Sequence, residues 1–165
     1  MNRKLCRVSD AIGSLLVKQI AHELKNKNLY MTFANYYEVE GILDLAKYYR
    51  SQAAGEDSHH EWIMSYLSDA NYKFSYPAVE ENNVPIKSLI DPVNASLDRE
   101  IQTTNMIYAI YDLAGTEKDY MTCAWLYEKL IKEQAEEEDL AKTVIDIMER
   151  DGDIFIKASQ VLALI

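Results

Sequence analysis

The sequence predicts an all-α fold: a bundle of four long helices, a long crossover between helices two and three, and a short C-terminal fifth helix. Three observations predict it. Glycine (5) and proline (3) are scarce among 165 residues, unlike the turn-rich composition of sandwiches and barrels. Four long segments repeat apolar residues with the helical period. The gaps between them are short, long and short, with the long one at residues 72–88.

The first helix is expected from about Asp10 to Glu38, capped by Ser9 or Asp10, with Leu16, Ile20, Tyr30 and Ala34 on one stripe. Gly13 is its one weak helix former and sits near the start, where the cost is least. The second runs from about Gly41 to Asn71, with Ile42, Leu45, Tyr49, Ala53, Ile63 and Leu67 inward. The third runs from about Ser88 to Ala114. Ser88 and Asp91 resemble a capping box, Pro92 is tolerable only in a first turn, and Gly115 is the expected stop. The fourth runs from about Asp119 to Arg150, with Leu126, Leu130, Ala141, Ile145 and Met148 on its stripe. Asp151-Gly152-Asp153 breaks it, and Ile154, Ala158, Val161 and Ile165 give the fifth helix, within 153–165, one apolar face. Residues 1–8 read as a tail on a single domain, 1–165.

Short loops make helices one and two, and three and four, antiparallel neighbours. A helix of about 30 residues is about 45 Å long. An extended segment of about 17 residues reaches about 56 Å. The crossover can therefore return the chain to its starting end, which sets helices two and three parallel.

Charge narrows the function. Lys plus Arg is 17 and Asp plus Glu is 27, a net charge of −10. So acidic a chain is a poor binder of nucleic acid or anionic membrane through its general field, and is suited to cations. A hydrophobic fraction of 48% excludes wholesale disorder. Cys6 and Cys123, without a CxxC, exclude a disulfide scaffold and a thiolate zinc site. No apolar run reaches membrane-spanning length, and the basic N-terminus has no apolar stretch behind it. A cytoplasmic protein with reduced thiols is expected.

Each long helix carries an acid on its apolar stripe. Glu23 lies between Ile20 and Tyr30, and Glu56 between Ala53 and Ile63 with His59 one turn on. Glu100 lies among Leu97, Ile101, Thr104 and Ile107. Glu137 lies between Leu130 and Ala141, with Gln134 one turn before it. An unpaired buried carboxylate costs several kcal/mol or takes up a proton, and four at one depth repel one another. Cations among them remove both costs. Glu56-x-x-His59 with single acids from other helices is the pattern of a dinuclear carboxylate site. Oxygen donors with one imidazole suit iron, manganese or zinc. His22 and His60 neighbour these residues but face about 100° away around their helices. Glu138 and Asp139 read as a solvated face, and Trp62 and Trp125 as packing residues.

Taken together, these stretches resemble the bacterial non-haem ferritins over about residues 10–165. The likeness is carried by His22-Glu23-Leu24 with Tyr30, by Ala54-Gly55-Glu56-Asp57-Ser58-His59 leading into Tyr66-Leu67, and by Asp98-Arg99-Glu100. Glu133-Gln134-Ala135-Glu136-Glu137-Glu138, followed by Ile145-Asp146 and the fifth helix, completes it. The resemblance implies a ferritin-like fold and a cage of 24 subunits that oxidises Fe(II) with dioxygen or hydrogen peroxide and stores the Fe(III) mineral. It assigns one iron of a dinuclear non-haem pair to Glu23, Glu56 and His59. The other goes to Glu56 as a bridge, Glu100 and Glu137, with Gln134 close by. Tyr30 matches a tyrosine that can supply an electron. An accessory iron site would use Glu133, Glu136 and Glu137 plus an acid where this chain has Gly55, which leaves that site one ligand short. Gln134-x-x-Glu137, in place of a second Glu-x-x-His, points away from the haem-containing bacterioferritins, so no haem is expected. Two alternatives are a cage subunit with weak or no ferroxidase activity and a diiron oxidase or peroxidase of the same superfamily.

Overall fold

The computed structural model describes residues 7–165. Helix α1 is Asp10–Val39, α2 is Leu43–Asp69 and α3 is Asp91–Thr116. The fourth rod, α4, covers residues 120–148: Tyr120–Leu126 is α-helical, Tyr127–Ile131 forms one π turn, and Lys132–Met148 is α-helical again. Helix α5 is Ile154–Leu162. No strand occurs among the described residues.

Local chemistry explains most of the boundaries. Ser9 caps α1 by accepting from the Ile12 amide at 3.1 Å. Gly41, at φ +78°, turns the chain from α1 to α2, so α2 begins two residues later than its expected start at Gly41. Asn71 ends α2 at φ 58°, a left-handed position that asparagine tolerates. Asp91 accepts from the Lys87 and Ser88 amides at 2.6 and 2.8 Å, the acid half of the expected capping box, and Pro92 lies in the first turn. The Ser88 side chain does not cap, because Ile90 holds the N-cap position. Gly115 is not the stop of α3. The helix passes through it to Thr116, and the reversal falls at Lys118, φ 60°, just before Asp119 caps α4. Asp153 caps α5 through the Phe155 and Ile156 amides.

The crossover follows α1 from end to end. Tyr72 packs over Gly13, where a Cβ would overlap its ring. Glu80 meets Lys25 at 3.0 Å, Asn82 donates to the Lys25 carbonyl at 2.8 Å, and the Leu89 carbonyl accepts from Tyr37 at 2.6 Å. Gly13 thus makes room for the start of the crossover, a reason its sequence position does not reveal. Helix α3 begins beside the end of α1 and runs back along it, with Glu100 at Tyr30 and Thr103 at Asn26 and His22. Helices α2 and α3 are therefore parallel. The fourth rod opposes both: Thr122 meets Tyr66 at 2.7 Å and Gln134 meets Glu100 at 2.7 Å.

Two apolar clusters fill the bundle. One lies toward α5 and includes Leu29, Phe33, Tyr37, Leu45, Tyr49, Val144 and Val161. The other lies toward the α3–α4 turn and includes Ile12, Leu16, Ile20, Ile63, Leu67, Ile107, Ile110 and Leu126. Between them every long helix turns a polar residue inward. The stripes expected on α1 and α2 are buried throughout. On α3 the inward face is Val93, Ser96, Glu100, Thr103 and Ile107, whereas Ile101 is exposed because it sits one residue from Glu100 and hence about 100° around the helix. Ile165 also faces solvent, beyond the last residue of α5. Arg7 and Val8 are docked, the amide of Arg7 donating to the Ala70 carbonyl at 3.0 Å and Val8 being buried. Cys6 lies outside the described residues, and Cys123 is a buried free thiol.

Candidate metal centre

The polar layer is assembled from one or two side chains per helix. In α1, Gln19 and Glu23 stand one turn apart, both buried, and Gln19 Nε2 donates to Glu23 Oε1 at 2.7 Å. In α2, Glu56 and His59 project together, with His59 Nδ1 3.4 Å from Glu56 Oε2. In α3, Glu100 accepts from the Tyr30 hydroxyl and from Gln134 Nε2 at 2.7 Å. In α4, Glu137 Oε1 lies 3.6 Å from His59 Nε2. Trp62 backs the imidazole, its ring centroid 5.1 Å away.

Two ligand-like groups result. One donor atom from each of Glu23, Glu56 and His59 fits within 4.8 Å, and the same holds for His59, Glu133 and Glu137. His59 belongs to both. Glu23 Oε2, Glu56 Oε2 and Glu137 Oε2 are buried with no hydrogen-bond partner. Such orphaned acceptors are rare in folded proteins and costly. Here they surround one imidazole, which is the donor set that a hard cation takes.

Electrostatics agree with the geometry. Burial pushes the Glu56 carboxyl well above the ordinary range, and the charges of Glu23, Glu100 and Glu137 push it further. Burial, then Glu100, Glu23 and Glu133, does the same to Glu137. Burial raises Glu100 too, while hydrogen bonds from Tyr30 and Gln134 pull it back. Burial lowers the His59 imidazole against the opposing pull of Glu23 and Glu133. A cation bound here displaces protons from carboxyl groups already reluctant to ionise without one.

Most residues expected at the site are brought together. Glu23, Glu56 and His59 form the first group. The second joins Glu133 and Glu137 to His59, while both Glu100 oxygens are engaged by Tyr30 and Gln134. Glu136 is exposed and belongs to neither group. Gly55 has open space around a would-be Cβ. His22 is occupied by Thr103 at 2.8 Å, and His60 lies 3.4 Å from Asp57, so neither joins the groups. Glu138 departs from its expected solvated face: it is half-buried and accepts from Thr104, because it lies one turn beyond Gln134 on the side facing α3. Sequence reasoning missed Gln19, which holds Glu23. Its position one turn before that acid was the available signal.

The comparisons with known proteins fit this geometry. The model of the ferritin-like domain family matches residues 13–151. The bacterial non-heme ferritin of Staphylococcus aureus (strain USA300) is 30% identical over 135 residues, covering 82% of this chain and 81% of that protein. Its namesake in Staphylococcus saprophyticus is 30% identical over 138 residues, covering 84% and 82%. Among solved structures, an open pore ferritin from the archaeon Archaeoglobus fulgidus superposes with a TM-score of 0.89 at 23% identity, covering 94% of this chain and 98% of that one, a likeness of fold. A bundle with this crossover and an inward acid on each rod, matched over most of its length to curated ferritins, belongs to the ferritin family.

Proposed function

We propose that this chain, over residues 1–165, is one ferritin-like domain that oxidises Fe(II) at a dinuclear site inside the subunit and stores the product as mineral in a 24-subunit cage. Ferritin membership supports iron storage in general. The observation that carries the finer reading is the set of unpartnered buried oxygens of Glu23, Glu56 and Glu137 around His59.

In this reading Fe(II) is substrate. Glu23, Glu56 and His59 bind one ion. Glu56 and Glu137, with Glu133 and Glu100 beside them, bind the second. Their negative charge favours the ferric state over the ferrous. Gln134 orients Glu100, and Gln19 orients Glu23. Dioxygen or hydrogen peroxide takes the electrons, and no haem takes part. Tyr30 is the catalytic side chain, able to give an electron while its proton passes to Glu100. Exposed acids, Glu136 among them, receive the ferric product. The exposed apolar residues Val39, Leu43, Phe155 and Ile156, around α5 and the α1–α2 turn, support association with further copies. No helix among the described residues is long and apolar enough to cross a membrane. Two cysteines without a disulfide motif favour the cytoplasm.

Stopped-flow oxidation of Fe(II) tests the reading. The native sequence is expected to oxidise a first pair of ions per subunit rapidly, and Glu56→Ala to lose that phase while keeping the assembled size. An anomalous diffraction map after an Fe(II) soak should show two strong positions per subunit. Unchanged kinetics in Glu56→Ala would overturn the assignment.

A further inference from the structure

A line of tyrosines leads from the carboxylate layer to the surface. Tyr30 donates to Glu100 at the layer itself. Its ring centroid lies 5.9 Å from that of Tyr49. Tyr49 lies 5.5 Å from Tyr37, with the rings 9° from parallel. Tyr37 lies 5.3 Å from Tyr36, which is half-buried near the end of α1. Tyr30, Tyr49 and Tyr37 are 2%, 1% and 0% exposed. Packing alone does not call for hydroxyls here, since phenylalanine fills a core without a polar atom to satisfy. The chain nonetheless has 12 tyrosines and 3 phenylalanines.

We propose that Tyr49, Tyr37 and Tyr36 form a hole-transfer chain that moves oxidising equivalents between Tyr30 and the surface beside the α1–α2 turn. Its use in the cell rests on the ferroxidase reading, but its chemistry does not. The hydrogen bonds decide where a hole rests. Tyr30 has a carboxylate to take its proton. Tyr49 donates to Ser96 Oγ at 3.1 Å, because the Ser96 hydroxyl itself donates to the Pro92 carbonyl at 2.8 Å. Tyr37 donates to the Leu89 carbonyl. Neither acceptor is a base, so Tyr49 and Tyr37 keep their protons and act as bridges. Tyr36 can give its proton to water.

The step balances. An oxidant derived from dioxygen or peroxide takes one electron from Tyr30, whose O–H bond breaks and whose proton goes to Glu100. An electron from Tyr36 crosses the rings of Tyr37 and Tyr49. Tyr30 takes it up and recovers its proton from Glu100. Tyr36 is left oxidised, and its proton goes to water. The net change is one electron from Tyr36 to the oxidant and one proton to solvent. Two ferrous ions give two electrons and dioxygen needs four to reach water, so such a chain supplies electrons that the metal pair lacks.

A photo-oxidant tests this without iron. It is attached as a thiol-reactive label at exposed Asn35 through Asn35→Cys, in a Cys6→Ser, Cys123→Ala background. Flash excitation with a quencher injects a hole beside Tyr36. Since both ends can shed a proton, the expected result is a tyrosyl radical shared between Tyr36 and Tyr30, assigned by electron paramagnetic resonance and confined to Tyr36 by Tyr30→Phe. Tyr49→Leu should slow its arrival at Tyr30 by more than an order of magnitude. A fluorinated tyrosine at position 49 changes the ring potential with little change of shape, and should alter the rate even if the leucine variant does not fold. Arrival at an unchanged rate in both, or a radical that never leaves Tyr36, overturns the chain. A parallel run with Fe(II) and dioxygen separates the two readings. If the native protein shows no rapid oxidation while the photochemical transfer occurs, the ferroxidase reading falls and the chain stands. If oxidation is rapid and Tyr36→Phe leaves the lifetime of the Tyr30 radical unchanged, the chain falls.

Discussion

Toward the α3–α4 turn the core is built from Ile12, Leu16, Ile20, Ile63, Leu67, Ile107 and Ile110, side chains with no polar atom to satisfy. Toward α5 it is built around Tyr30, Tyr37, Tyr48 and Tyr49, with Phe33 between them. The carboxylate layer divides the two. The aliphatic half asks only for shape and volume. In the aromatic half three of the buried hydroxyls reach a partner, at Glu100, Leu89 and Ser96. One bundle therefore spends its two ends differently. The first stabilises the fold, and the second couples the fold to the chemistry of the layer.

Substitutions can break or sharpen that contrast. The largest effect is expected at the boundary. Glu56→Gln removes a charge and a ligand, so rapid Fe(II) oxidation should be lost by orders of magnitude, read by stopped flow. Next is Leu16→Ala in the aliphatic half. It should cost about 2–5 kcal/mol in denaturant titrations and leave the fast oxidation phase in place. Tyr49→Phe in the aromatic half should cost only about 1 kcal/mol, the net worth of one hydrogen bond. Similar stability losses from Leu16→Ala and Tyr49→Phe would erase the distinction.

A third effect concerns pH. Glu56 and Glu137 hold their protons more tightly in the folded state than at the ordinary 4.5, so the metal-free fold gains stability from them below that value. The gain is lost as pH rises through their raised values. Glu100 is raised as well, while His59 and His22, both lowered from 6.5, work in the opposite direction, two groups against three. The melting temperature of metal-free protein should therefore fall as pH climbs from mildly acidic to neutral. Saturating Fe(II) without oxygen should flatten the slope. A slope unchanged by metal would place those protons elsewhere. The smallest effect is at Gly55. Gly55→Ala should stabilise α2 by up to about 1 kcal/mol, since nothing crowds the new Cβ. Gly55→Glu should add a third position to the anomalous map.

Much of this was legible in the sequence because the signals were local. Ser9 reads as a cap and is one, and the inward acids Glu23, Glu56, Glu100 and Glu137 announce themselves by standing where apolar residues belong. The parallel run of α2 and α3 followed from the length of the crossover alone. What stayed hidden depends on other elements. Gly115 reads as a stop, but the reversal is set by the backbone at Lys118 and the cap at Asp119. Ile101 reads as core because isoleucine usually is, whereas the phase of α3 is decided by how it lies on α1 and α4. The role of Gly13 needs Tyr72, which is distant in sequence. The tyrosine line joins positions on two helices whose register only the fold sets.

The π turn at Tyr127–Ile131 sits just upstream of Glu133, Gln134 and Glu137. A π turn accommodates one residue more than the α-helix around it. Were the turn to wind as regular α-helix with all its residues kept, everything after it would rotate by about 100° relative to the half that begins at Tyr120. Either the side chains proposed to bind iron or the packing of Leu126 would then face the wrong way. The wide turn thus sets which way the second half of the rod faces, and inserting a further residue there, or forcing regular winding, would do harm that a conservative replacement at the same position would not match.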